Sequence, residues 1–211
     1  MRISSKAKQP DTPSVTQRRS FLGSLLKGSA SLMAFTQAQA WNLFGGLQKE
    51  LPYLNPEWIS QTNGEVVKYA KHLNKRGFKA VSLHEVIKTH FKKRRVMNSL
   101  PPKSQWDDIL PTLEIVEQVA RELGCKKVEF ISVYRSPRYN YSIGGASKSC
   151  HMQNIAVDVN FGCSNWKAMK AVCKLRKKGE FVGGLGVYSN FIHIDTRPEN
   201  VDWGLYKTHR S

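Results

Sequence analysis

The stretch GGASKSCHMQNIAVDVNF, residues 144–161, places a histidine and a carboxylate seven residues apart, around the start of an apolar segment with alternating pattern. Its glycine- and serine-rich first half predicts a loop, and the β-branched second half predicts a strand. Side chains of a strand alternate between two faces, so the valines should face the core while Ala156 and Asp158 face away from it. His151 precedes this strand, where the loop can fold it over Asp158.

A second stretch, NFIHIDTRP at residues 190–198, also predicts a strand. Its isoleucines should take the core face, which leaves His193 and Asp195 together on the other face. A catalytic zinc ion takes three nitrogen or oxygen ligands from the protein and one open position for water. His151, Asp158 and His193 fulfil this requirement if the two strands meet. The spacing alone leaves open the alternative that these are hydrogen-bonded residues of an ordinary core.

The remaining patterns predict helices followed by a strand-rich half with one inserted helix. The expected elements are helices at about 64–76, 82–91 (opened by a capping box at Ser82–Glu85), 111–123 and 164–178, strands at 127–134, 155–161, 185–188 and 191–195, and a loop at 138–150. This order predicts an α+β fold with a mainly antiparallel sheet that carries the zinc site and helices packed on one side.

The net charge of +17 is unusual for 211 residues. A field of this sign attracts polyanions such as nucleic acid, anionic lipid or an acidic cell-wall polymer, although a basic surface without function is an equal alternative. We expect no nucleic-acid partner, because no binding motif or interleaving of aromatic and basic residues is present. The run KKRR at residues 92–95 is interpreted as a solvated loop, with a phosphate or lipid contact as the alternative.

The first forty residues resemble an export signal. The arginine pair Arg18-Arg19 precedes a mildly apolar run, and Ala38-Gln39-Ala40 follows as a small-x-small cleavage pattern. This order predicts a twin-arginine signal peptide at residues 1–40, with the twin-arginine translocase as a partner and a periplasmic or other extracytoplasmic location. The alternative is a disordered basic tail. No apolar run reaches the roughly 20 residues that span a bilayer, so we expect no stable span after cleavage.

We divide the rest of the chain into an N-terminal helical segment at residues 41–100, packed on a catalytic domain at residues 101–211.

Four cysteines remain to be explained: Cys125, Cys150, Cys163 and Cys173. An oxidising compartment permits disulfides, and Cys163 with Cys173 is the first pair to test. Buried free thiols are the equal alternative.

Several short motifs between residues 100 and 204 resemble the zinc D-Ala-D-Ala carboxypeptidase family. They are SVYRSP (132–137), YN (139–140), GGA (144–146), SCHMQNIAVD (149–158), GVY (186–188) and HIDT (193–196). Members of this family share the hedgehog-like metallopeptidase fold and cut cell-wall peptides. The resemblance implies one zinc ion held by His151, Asp158 and His193. It also implies that Arg135 lies near the substrate carboxylate or the developing oxyanion, and that Ser149 contacts the substrate.

Two positions depart from the family pattern. Asn154 stands where glycine is usual, and Asn190 stands three residues before the second histidine, where many relatives carry the catalytic acid. We therefore expect Asp195 to be the general base, with Glu180 in reserve, while its proximity to His193 leaves open a role in orienting that histidine. The expected function is zinc-dependent hydrolysis of peptidoglycan peptides, by a D,D-carboxypeptidase or a murein endopeptidase. The alternative is a non-catalytic zinc-containing module that binds cell wall or protein.

Overall fold

The computed structural model describes residues 50–205. Within them lie six α-helices: α1 Pro56–Gln61, α2 Glu65–Asn74, α3 Leu83–Lys88, α4 Leu110–Glu122, α5 Pro137–Ser142 and α6 Asn165–Lys177. The strands are β1 Glu129–Ser132, β2 Ala156–Asn160, β3 Gly184–Val187, β4 Ile192–Asp195 and β5 Val201–Gly204, and short 3-10 turns occupy Thr89–Phe91, Lys103–Gln105 and Cys150–Gln153. None of the described helices combines the length and apolar character needed to cross a membrane. The signal peptide predicted for residues 1–40 lies outside the described residues.

The five strands form one sheet in the order β1-β2-β4-β3-β5. The first three neighbouring pairs are antiparallel, and β5 runs parallel to β3. The predicted α+β fold with a mainly antiparallel sheet is therefore confirmed. Asp158 of β2 and His193 of β4 are direct cross-strand partners, which brings the two sequence stretches together as expected.

The two longest helices, α4 and α6, pack against the apolar face of the sheet. Val157, Val159, Ile192 and Ile194 are buried there, as the alternation predicts. The opposite face of the same strands carries the polar residues. Apolar side chains from residues 50–100 belong to the same core, and all described residues fall in one compact unit.

The predicted capping box at the start of α3 is wrong. Ser82 occupies the N-cap position, but its side chain makes no capping hydrogen bond. Glu85 is buried instead between two lysines, accepting a hydrogen bond from Lys88 Nζ at 2.6 Å and lying 3.7 Å from Lys127 Nζ. The charged partners therefore compete successfully with the backbone amide for this carboxylate.

Three short elements differ from the sequence-based expectation. Residues 138–150 are expected to form a loop, but helix α5 occupies the first part of this region. Ser136 caps this helix by accepting a hydrogen bond from the amide of Tyr139. Helix α1, which precedes the first helix expected from the sequence, likewise has Asn55 as its cap and a proline in its first turn. Strand β5 has no buried residue, so it lacks the apolar alternation that would have predicted it.

Candidate metal centre

Three side-chain atoms converge on the polar face of the sheet, where β2 and β4 pair. Asp158 Oδ1 lies 2.8 Å from His193 Nδ1 and 3.2 Å from His151 Nε2. The two ring nitrogens are 3.2 Å apart. All three residues are buried, with exposures between 2% and 8%. Among residues 50–205, this is the only group of three or more His, Cys, Asp or Glu side chains whose ligand atoms lie close enough together to hold a metal ion.

The outer nitrogen of each ring is already engaged. His151 Nδ1 donates to the carbonyl of Val133 at 2.6 Å, and His193 Nε2 donates to Asp195 Oδ2 at 3.0 Å. In the neutral form of each ring, the inner nitrogen therefore presents a lone pair to the other ring and to a carboxylate oxygen. At such distances these three electron-rich atoms repel one another unless a proton or a metal ion lies among them.

The donor set fits zinc. Two imidazole nitrogens and one carboxylate oxygen match the ligands of a catalytic zinc site. Bonds of about 2.0–2.1 Å in a tetrahedron place neighbouring ligand atoms roughly 3.3 Å apart. The observed separations of 2.8–3.2 Å are close to this value, so small side-chain movements suffice to complete the site.

The electrostatics of the cluster also suit a cation. Burial raises the pKa of Asp158, but the adjacent imidazoles of His151 and His193 outweigh burial and hold that pKa well below its usual range. Burial lowers the pKa of His151 despite the nearby Asp158, which favours the neutral, metal-binding form. The pKa of His193 is lowered by burial but raised more by Asp158 and Asp195, so that it ends above its ordinary value.

Asp195 lies behind the ring of His193, away from the other two side chains of the cluster. It is fully buried, and its carboxylate accepts hydrogen bonds from Gly184 N and from the backbone and guanidinium of Arg197, besides the one from His193. A general base must reach the water from which it takes a proton, and this carboxylate has no free access. The expected role of Asp195 as general base stays a prediction, and this geometry favours the alternative, in which it orients His193.

Arg135 links the cluster to the surface. Its Nη2 donates to Asp158 Oδ2, and its Nε donates to Ser132 Oγ at 2.7 Å. The side chain is 16% exposed. No described residue bonds its Nη1, which leaves part of the guanidinium for an anionic ligand. The predicted contact of Arg135 with a substrate carboxylate or oxyanion stays a prediction, and this placement is compatible with it.

The turn that carries His151 is built by its neighbours. Ser149 Oγ accepts a hydrogen bond from the amide of His151 at 3.3 Å, and the carbonyl of His151 accepts one from the amide of Arg135. Ser149 thus has a structural role, and its contact with substrate stays a prediction. Asn154 ends the turn at φ 56°, a left-handed conformation that explains why glycine is usual there. Its amide points away from the cluster, donating to the carbonyl of Gln105 at 2.7 Å, so it does not narrow the site.

Sequence reasoning missed Trp203 on the unpredicted strand β5. Its ring lies 5.1 Å from that of His193, and its Nε1 donates to Tyr188 Oη at 2.8 Å. A Cβ atom on Gly186 would lie 2.5 Å from this nitrogen, so only glycine allows the indole to cover the strand. A glycine inside a strand marks such a close approach, and this was the available signal.

Arg197 was also missed, although its two-residue spacing from Asp195 in an extended segment places both side chains on one face.

The two other positions considered for the catalytic acid lie outside the cluster. Asn190 is exposed in the turn between β3 and β4, and Glu180 is exposed and lies 3.8 Å from Lys178 Nζ. All four cysteines are free thiols in the structure.

The comparison with protein families is consistent with this geometry. A family model described as Peptidase M15 matches residues 71–195, more than half of the chain, and this span contains all three side chains of the cluster. Comparison with curated proteins and with solved structures gives no match.

Proposed function

The chain belongs to the peptidase M15 family, the family of zinc D-Ala-D-Ala carboxypeptidases, and on this premise we propose that it hydrolyses peptide bonds of bacterial peptidoglycan. The family membership supports a zinc-dependent metallopeptidase. The finer assignment, a D,D-carboxypeptidase or a murein endopeptidase, is our proposal. The observation that carries it is the convergence of three lone-pair-bearing atoms from His151, Asp158 and His193, each held by an outer partner.

Each residue of the site has a distinct part in this proposal. A zinc ion held by the three side chains would lower the pKa of a water molecule toward roughly 7 and polarise the scissile carbonyl. Asp195 holds the ring of His193 in the orientation and tautomer that binding requires. Arg135 moderates the negative charge of Asp158 and presents its free edge to a substrate carboxylate. The aromatic side chain of Trp203 packs beside the ring of His193.

Metal analysis and a murein digest test the proposal. The protein should contain about one zinc ion per chain, and the His151→Ala variant should contain none. Incubation of the wild type with purified murein should release peptides or D-alanine. Unchanged zinc in the variant would overturn the ligand assignment, and the absence of any released product from zinc-loaded protein would overturn the enzymatic function.

A specific observation favours a second candidate, a non-catalytic zinc-containing module that binds cell wall. Among the described residues, the only carboxylates bonded to the two histidines are Asp158, which belongs to the ligand set, and Asp195, which is fully engaged. Asn190 cannot accept a proton as a carboxylate does. Zinc-loaded protein that sediments with murein but releases nothing from it would establish this alternative.

We further propose that the protein acts outside the cytoplasm after export by the twin-arginine translocase. The support is the order of the arginine pair, apolar run and small-x-small pattern within residues 1–40. Fusion of these residues to a folded reporter should direct it to the periplasm. The double substitution Arg18→Lys and Arg19→Lys should block this export, and equal export of both fusions would refute the assignment.

A further inference from the structure

A short hairpin at residues 92–98, here called the basic hairpin, carries four consecutive cationic residues. Lys93 and Met97 pair as a β-bridge, and the amide of Arg94 donates to the carbonyl of Val96 at 3.1 Å. The amide of Asn98 closes the hairpin by donating to the carbonyl of Lys92 at 2.9 Å. The segment interpreted from sequence as a solvated loop is exposed at Lys93, Arg94 and Arg95, and these hydrogen bonds close it as a hairpin.

The basic hairpin is fixed to the backbone that carries Arg135. The buried side chain of Asn98 donates to the carbonyl of Tyr134 at 2.8 Å and accepts from the amide of Ser136 at 2.9 Å, which are the neighbours of Arg135 in the chain. Lys92 Nζ donates to the carbonyl of Ile131 in β1 at 2.5 Å. These bonds hold the backbone of the basic hairpin in place relative to the metal-binding cluster.

A groove of about 810 Å³ lies between the basic hairpin and the segment with Arg135. This volume falls in the range of about 300–1,000 Å³ that is usual for ligand sites. Its lining contains five cationic side chains and no acidic one: Lys92, Lys93, Arg94, Arg95 and Arg135. Ser132 lines the groove as well, so the groove reaches the two residues that bond to each other beside Asp158.

The exposed charges of the basic hairpin have no close carboxylate partner among residues 50–205. Many exposed cations of this chain have a carboxylate within 4.0 Å, as Lys68 and Lys174 do, but among the described residues none lies that close to Lys93, Arg94 or Arg95. Lys92 is half-buried, and its pKa is lowered by burial and by repulsion from nearby cations, including Arg135. A bound anion would relieve this repulsion.

We propose that the basic hairpin binds a second carboxylate of the peptide substrate, remote from the bond that is cut, and so selects acidic peptides. This inference rests on the proposed peptidase function, because the groove continues to the cluster through Arg135. Arginine presents a planar fork that matches a carboxylate. Ile131, Tyr139 and Ile143 add an apolar wall for aliphatic side chains. A concave groove of mixed character favours a peptide over a flat membrane surface.

The test compares two non-hydrolysable peptide analogues that differ only in one remote side chain, glutamate in one and glutamine in the other. Their binding to the zinc-loaded full chain is measured by fluorescence anisotropy, and kcat/KM is measured with the matching cleavable peptides. The hairpin variant carries Lys93→Gln, Arg94→Gln and Arg95→Gln. The control variant removes the same charge from exposed positions of α6 that lie outside the groove, by Lys167→Gln, Lys170→Gln and Lys177→Gln.

We expect the wild type and the control variant to prefer the glutamate peptide by about tenfold in Kd, because each exposed charge pair contributes only modestly. The hairpin variant should lose this preference, and salt should weaken it in the wild type. Equal affinity of the wild type for both peptides, or equal loss in both variants, would overturn the proposal. Tighter binding of inorganic polyphosphate than of either peptide, lost only in the hairpin variant, would also overturn it in favour of a phosphate polymer.

The two proposals fail in different ways. If the wild type distinguishes the analogues but cleaves neither peptide, the basic hairpin retains its role and the enzymatic function is wrong. If the wild type cleaves both peptides equally well and binds both analogues equally, the enzymatic function stands and the role of the basic hairpin is wrong.

Discussion

Replacing Asp195 by asparagine separates the two roles that this residue can have. The substitution keeps the shape of the side chain, but an amide has one accepting oxygen where the carboxylate has two. In the structure, Oδ1 accepts from Gly184 N and from Arg197 N and Nε, while Oδ2 accepts from His193 Nε2 and Arg197 Nη2. The new NH2 group must therefore face a donor whichever way the amide turns.

Two magnitudes follow from these contacts. Breaking a buried ion pair costs about 3–5 kcal/mol, and Arg197 is 29% exposed, so water recovers part of this loss. We expect the free energy of unfolding of the metal-free protein to fall by about 3 kcal/mol. Loss of the outer partner of a metal-binding histidine lowers metal affinity roughly 10–100-fold, and we expect this loss for zinc.

The assay is a zinc titration against a competing chelator, combined with urea unfolding of the metal-free protein. Asp107→Asn serves as the matched control, because Asp107 also contacts a histidine but is 79% exposed. Wild-type zinc affinity in Asp195→Asn, together with loss of kcat and of the acidic limb of the pH profile, would refute the positioning role. That result would show that Asp195 acts as the general base after all.

Three further predictions concern the supports around the site and the core. Gly184→Ala would place a Cβ atom against Asp195 Oδ2, and we expect weaker zinc binding by the same titration; unchanged affinity would show that Asp195 can shift without consequence. Burial lowers the pKa of His90 from 6.5 to about 3. Between these pH values the unfolded chain therefore binds a proton that the folded chain does not. The free energy of unfolding should consequently fall by up to about 1.4 kcal/mol per pH unit as pH decreases from 6.5 toward 3. His90→Phe should flatten this slope in urea unfolding, and an unchanged slope would contradict the assignment. Glu117→Gln should lower the free energy of unfolding by about 1–3 kcal/mol, because the carboxylate of Glu117 accepts hydrogen bonds from the amides of three successive residues. A loss of stability no larger than that of the exposed control Glu114→Gln would disprove this stabilising role.

Local patterns in the sequence were sufficient to predict much of the site. The alternation in β2 and β4 predicted which residues face the core, because a strand has a period of two that the apolar residues reveal. It therefore also predicted that Asp158, His193 and Asp195 share the opposite face. The Ser-Pro pair at the start of α5 and the Asn-Pro pair at the start of α1 are equally readable helix start signals.

The roles of individual side chains depended on three-dimensional contacts that have no local signal. Whether Asp195 faces water or the back of His193 depends on ring orientation, and this is determined by Arg197 and by the cross-strand partner Gly184. Strand β5, with Trp203, pairs with β3 in parallel at the edge of the sheet and buries no residue, so no periodic pattern marks it. The charges of the basic hairpin are visible in the sequence, but their position beside Arg135 has no local signal. It depends on the hydrogen bonds of Asn98 to residues 36 and 38 positions away in the chain. The sequence by itself thus determined, through short-range periodicity, the fold class and the residues that share the polar face of the sheet. The tertiary structure alone determined which charges meet, because burial and long-range pairing decide that.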